Sequence, residues 1–102
     1  QKYIMDNPTN SEKNVYSLAD FNSDVPSQLI QFYKMNEDGS HENGTTLEEV
    51  IKVCLERLDG FQLKFPCKQN ACAITHLQEA LMWLKARTED RISRGVEGKH
   101  IA

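Results

Sequence analysis

The sequence has no excess of positive charge, no apolar run near the roughly 20 residues that a membrane-spanning helix needs, and no paired cysteine motif. Each absence removes a class of function. Twelve Lys and Arg stand against 15 Asp and Glu, a formal net charge of −3. The basic face that supplies most of the affinity for duplex DNA or RNA is therefore missing, and long nucleic acid is not an expected partner. No charged-then-apolar leader opens the chain, so a soluble, cytoplasmic protein with no membrane partner is expected. Cys54, Cys67 and Cys72 are odd in number and lack the spacing of a zinc knuckle. They read as reduced thiols, and neither a metal site nor a cofactor is expected.

Catalytic constellations are also missing. Cys72 and His76 stand one helical turn apart, but no oxyanion hole or third orienting group accompanies them. A cysteine in an apolar seam is ordinarily a small hydrophobe. Glu48-Glu49 and Glu89-Asp90 are adjacent acids that point different ways around a helix, so neither makes a two-carboxylate acid/base site. No catalytic residue is assigned, and an enzyme is not expected.

What is present suits one small globular domain of 102 residues, with 39% hydrophobic and 26% charged residues. Turn formers such as Asn-Pro, Asp-Phe-Asn and Asp-Val-Pro break residues 1 to about 26 into short pieces around Tyr3-Ile4-Met5 and Val15-Tyr16-Ser17-Leu18. The run from Gln28 to Met35 is the best strand, with Ile30, Phe32 and Lys34 on one face. Asn36 to Ser40 and Glu42-Asn43-Gly44 read as turns. Thr46-Leu47-Glu48-Glu49 is a capping box that starts a helix. Its seam runs through Leu47, Ile51, Cys54, Leu58, Phe61 and Phe65 to Pro66, with Gly60 the weak point. A second seam follows through Ile74, Leu77, Leu81, Leu84 and Thr88, with Ala73 and Ala80 beside it and Trp83 assigned to packing. The expected fold is α+β, a small antiparallel sheet in a β-rich part (1–44) packed on a long antiparallel helical hairpin (45–100). Each helix is expected to run about five turns. Val50, Val53, Leu55, Met82 and Trp83 give the hairpin more apolar surface than it can bury alone. Two coverings are open: further copies of the chain, or the small sheet.

Binding residues are easier to find than catalytic ones. Arg87 and Arg91 stand at i, i+4, so two guanidinium forks project from one helix face, an arrangement suited to a pyrophosphate or phosphodiester. The plain alternative is a basic stripe in the last turns, where cations suit the helix dipole. Phe61 could stack on a base and Asn70 could hydrogen-bond to one, although an asparagine cap is the ordinary reading of Asn70. In a lone hairpin these two lie about 25 Å or more from the arginines, from the rise of about 1.5 Å per residue. Two hairpins packed antiparallel would bring the bend of one to the arginines of the other. At the tail, Gly95 can take a left-handed cap and Gly98 allows a further turn. Arg94 and Gly95 are the candidates for a second anion site, since amides around glycines cradle phosphate.

The run from Asn70 through His76 to Trp83 and Leu84, then Arg87-Thr88-Glu89-Asp90-Arg91 and Arg94-Gly95-Val96-Glu97-Gly98-Lys99-His100, resembles a phage hairpin domain. That domain is shared by the Thoeris anti-defence sponges and the anti-CBASS sponges. Asp59-Gly60-Phe61-Gln62 and Phe65-Pro66-Cys67-Lys68-Gln69-Asn70, behind a strand-rich part, resemble the Thoeris type more closely. The resemblance covers residues 45 to 100. It implies capture, without cleavage, of cyclic ADP-ribose isomers made by TIR enzymes in the infected bacterial host. It also implies a homo-oligomer, dimer or hexamer, with a separate pocket for CBASS cyclic di- or trinucleotides in hexameric forms. Carried over by motif, Phe61 stacks on adenine, Asn70 bonds base or ribose, and Arg87 and Arg91 hold the pyrophosphate. Relatives often carry Arg-Glu-Asn and a threonine-lysine pair where this chain has Lys68-Gln69-Asn70 and Thr75-His76, so no contact passes to Lys68 or His76. The competing function class is a protein-binding adaptor that masks a host defence partner.

Overall fold

A computed structural model of the protein describes residues 13–95. Over these residues the chain runs through four strands and then two helices, the α+β order read from the sequence. Tyr3-Ile4-Met5 and the tail from Val96 to His100, with Gly98, lie outside the described residues. Strands β1 (Val15–Asp20) and β2 (Ser23–Gln31) form an antiparallel ribbon around the Phe21-Asn22 turn. The expected Asp-Phe-Asn turn is in place. Pro26, read as a turn former, instead sits inside β2. The register is irregular between Leu18 and Asp20, and a bulged ladder tolerates a residue without an N–H.

The run from Gln28 to Met35 is not one strand. It breaks at Phe32, beyond which lie β3 (Lys34–Met35) and its partner β4 (His41–Glu42). At the break the chain returning through Thr45 pairs with the edge of the strand that faces away from β1. Thr45 N–H donates to Gln31 O at 2.9 Å and Tyr33 N–H to Thr45 O at 2.8 Å, while Phe32 N–H still reaches Asn14 O on the other side. Ile30, Phe32 and Lys34 nonetheless share a half-buried face, as their alternation required. The β3–β4 turn is closed by Gly39 at φ 91° and by Asp38. Hydrogen bonds from the Ser40 hydroxyl and N–H hold the Asp38 carboxyl below the usual aspartate range.

Helix α1 (Leu47–Lys64) starts where the capping box put it, with Thr46 Oγ1 accepting from Glu49 N–H at 3.2 Å. The Glu49 carboxylate lies 4.0 Å from Lys52. Helix α2 (Lys68–Ser93) has 26 residues, about two turns more than expected. It begins early because Cys67, not Asn70, is its cap: Cys67 Sγ accepts from Asn70 N–H at 3.4 Å. It ends late, where Gly95 takes φ 74°, the left-handed conformation expected of it.

The α2 seam is the one read from the sequence, with Ile74, Leu77, Leu81, Leu84 and Thr88 half-buried beside Ala73 and Ala80. The α1 seam differs. Ile51, Leu55, Leu58 and Gln62 take the half-buried positions, while Cys54 and Phe61 are exposed. The half-buried stripe keeps the alternation of three and four but lies one residue on at every other position, so that Glu48, Leu55 and Gln62 stand where Leu47, Cys54 and Phe61 were expected. Phe65, 72% exposed, lies beyond the last helical residue altogether. Trp83 is likewise not seam packing: it is 67% exposed, turned about 100° from its neighbour Leu84.

Among the described residues none is fully buried. The two helices pack on each other, and among the described residues no strand packs closely on a helix; residues of the ribbon and of the hairpin's open end line a common groove.

Candidate functional site

The hairpin has two chemically different ends. At the bend, the chain passes from α1 to α2 through Phe65, Pro66 and Cys67. Gln62 clamps that short link with both halves of its amide: Oε1 accepts from Cys67 N–H at 3.1 Å and Nε2 donates to Cys67 O at 3.2 Å. Since Cys67 also caps α2 through Asn70 N–H, the bend ties the residue beside Phe61 to the first turn that carries Asn70. Phe61 and Asn70 are thus brought to one end of the molecule. Phe61 is 45% exposed, and the Arg57 guanidinium lies over its ring at 4.9 Å from the centroid. Asn70 is half-buried.

At the open end stand Arg87 and Arg91 on one face of α2, one turn apart. Arg87 and Thr88 line a groove of about 870 Å³ between the start of α1 and the β1–β2 ribbon. Tyr16, Phe32, Lys13 and Lys34 line it as well. The rings of Tyr16 and Phe32 meet edge to face at 5.8 Å, and the Lys13 ammonium sits 4.9 Å from the Tyr16 centroid. Arg91 is half-buried and engaged in a contact of its own. Arg94 Nε donates to Asp90 Oδ2 at 3.1 Å, the i−4 pairing their spacing suggests, beside the left-handed Gly95.

Within one chain the two ends do not meet. Asn70 and Arg87 belong to the same straight helix and are separated by about 25 Å of rise. The structure joins Phe61 with Asn70 and Arg87 with Arg91, but not one pair with the other. Cys72 and His76 are both exposed, and His76 Nδ1 lies 3.2 Å from Glu79 Oε1, on the next turn and away from Cys72. Among the described residues no three His, Cys, Asp or Glu side chains converge as a metal set, and no helix is long and apolar enough to cross a membrane.

Sequence reasoning missed three features here. Arg57 has a visible signal, since i and i+4 residues meet on a helix surface. The Gln62 clamp does not, because its partner is a backbone group whose position depends on the bend. The groove needed the path of the strands, which the break at Phe32 redirects.

Residues 26–89 match the family described as the Acb2/Tad1 hairpin domain. The matched span contains Phe61, Asn70 and Arg87 and stops before Arg91, Arg94 and Gly95. The chain is also 42% identical over 92 residues to a protein of Bacillus phage SBSphiJ7 named Thoeris anti-defense 1. That alignment takes in 89% of this chain and 62% of the relative, so the chain spans less than two thirds of the relative's length.

Proposed function

The chain belongs to the Acb2/Tad1 hairpin-domain family, and from that premise we propose that it is a phage anti-defence sponge that sequesters a cyclic ADP-ribose isomer without cleaving it. The observation that carries the reading is the 42% identity to a phage protein named for Thoeris anti-defence. The chemistry at the two ends of the hairpin supports it. A half-exposed ring and an amide at the bend suit an adenine and its ribose. Two guanidinium groups one turn apart suit a pyrophosphate, which accepts bidentate hydrogen bonds from both. Since the ends are about 25 Å apart in one chain, the complete pocket forms between copies packed antiparallel, bend to open end. The exposed apolar side chains of Leu63 and Phe65 near the bend and of Met82 and Trp83 farther along α2 are material for that assembly, a dimer or a hexamer. Cyclic di- or trinucleotides are the second ligand class, with Arg94 and Gly95 as their candidate anion site. The site of action is the cytoplasm of the infected bacterial host.

The test is isothermal titration of the purified protein with a cyclic ADP-ribose isomer, beside the Arg87→Ala/Arg91→Ala double variant, with the mass of each in solution. Expected are tight binding by the wild type, a loss of at least about a hundredfold in the variant at unchanged mass, and unaltered ligand released on heat denaturation. A conversion product appearing with time would make the protein an enzyme instead. The adaptor reading takes its support from the same exposed Met82 and Trp83. It predicts that the double variant still blocks Thoeris defence in infected cells, an outcome that would overturn the sponge.

A further inference from the structure

We infer that Arg57 is a positioning residue for the bound signal: its guanidinium occupies one face of the Phe61 ring and leaves only the other face for the ligand's base. The inference rests on the proposed sponge function and adds to it a residue of α1 that neither the motifs nor the matched relative assigns. Its basis is geometric. The guanidinium carbon of Arg57 lies 4.9 Å from the Phe61 centroid, within the range of a cation–π contact. The two residues are i and i+4 on a continuous helix, so the contact is already made in the free protein. Phe61 keeps 45% of its surface exposed despite that cover. A base arriving there meets a ring whose orientation is held from behind.

The rest of the bend leaves the ring little freedom to move as a body. Gln62, the next residue, is bonded twice to Cys67, and Cys67 caps the turn that carries Asn70. Arg57 sets the orientation of the ring, Gln62 sets its distance from Asn70, and the two together form a half-site ordered before the ligand binds. Such preorganisation increases affinity by removing an ordering cost at the moment of binding. A cation on the outer face also places positive charge one layer behind the base, near a ligand that carries a pyrophosphate. The contact strengthens when the ligand excludes water, so its effect is larger in the complex than in the free protein.

Two measurements test this. In the free protein, NMR of the Arg57 side-chain Nε–H is expected to show an upfield ring-current shift that disappears in Phe61→Leu. In titration with a cyclic ADP-ribose isomer, Arg57→Ala is expected to weaken binding by about fivefold to thirtyfold at unchanged oligomeric mass, the range a desolvated cation–π contact corresponds to. Arg57→Lys is expected to recover part of the loss. In a Phe61→Leu background, removing Arg57 is expected to cost nothing further, because its effect passes through the ring. Wild-type affinity in Arg57→Ala, or an equal loss in both backgrounds, would overturn the role of Arg57 and leave the sponge standing. No binding by the wild-type protein would overturn both.

Discussion

Gly44 shows how much one residue can decide in this fold. A Cβ added there would lie 2.5 Å from the Phe32 carbonyl carbon and 2.6 Å from Gln31 O, both backbone atoms that cannot rotate aside. Only a glycine lets the chain return close enough for Thr45 to bond Gln31 and Tyr33. Gly44→Ala is therefore expected to destabilise the protein by about 2 kcal/mol or more, within or above the range for overpacking, read as a lower urea midpoint. Gly44 is visible in the sequence as a turn glycine, but its crossing over Phe32 is not. The same holds for Asn70, where a cap was the natural reading and the preceding cysteine takes the role.

At the scale of the element, α1 tolerates Gly60 rather than requiring it. No atom would meet a Cβ at that position, and its φ is not in the left-handed region. Gly60→Ala is expected to stabilise the helix by about 0.5–1 kcal/mol through the lower entropy of the unfolded chain. A raised melting temperature in the isolated protein checks this. A substitution that stabilises the helix but lowers the oligomeric mass would mean that the open space is filled by another copy. Both helices were legible from capping and periodicity, and the α2 seam was legible residue by residue. The α1 seam was not: Ile51 and Leu58 have a candidate on either side, Cys54 or Leu55 and Phe61 or Gln62, and packing against α2 took Leu55 and Gln62. That offset leaves Phe61 exposed and places Gln62 where it bonds Cys67.

At the scale of the whole molecule, the absence of any buried side chain among the described residues is the dominant fact. Phe21 at the ribbon tip is fully exposed and Leu63 on α1 is 85% exposed. A two-stranded ribbon is only marginally stable by itself in water, and a hairpin packed along one seam buries little apolar surface. Stability is therefore expected to come from assembly. The melting temperature should rise by several degrees over a roughly hundredfold increase in protein concentration, by mass action. Scanning calorimetry beside light scattering measures both quantities on one sample. A concentration-independent transition of a monomer would mean that the chain closes on itself, and a pocket shared between copies would then be excluded.

The sequence by itself determined what is local: the cap at Thr46, the turns at Asn22 and Gly39, the α2 seam, the left-handed Gly95 and the i, i+4 pairing of Arg87 with Arg91. These follow from hydrogen-bonding groups and spacings within a few residues of one another. Only the tertiary structure decided the break of the long strand at Phe32, the groove beside Arg87, the clamp of Gln62 on Cys67 and the guanidinium of Arg57 on one face of Phe61. Each depends on where a distant or returning backbone lies, or on a side chain's choice among several neighbours. The separation of the Phe61–Asn70 end from the Arg87–Arg91 end follows from helix length alone, about 1.5 Å of rise per residue.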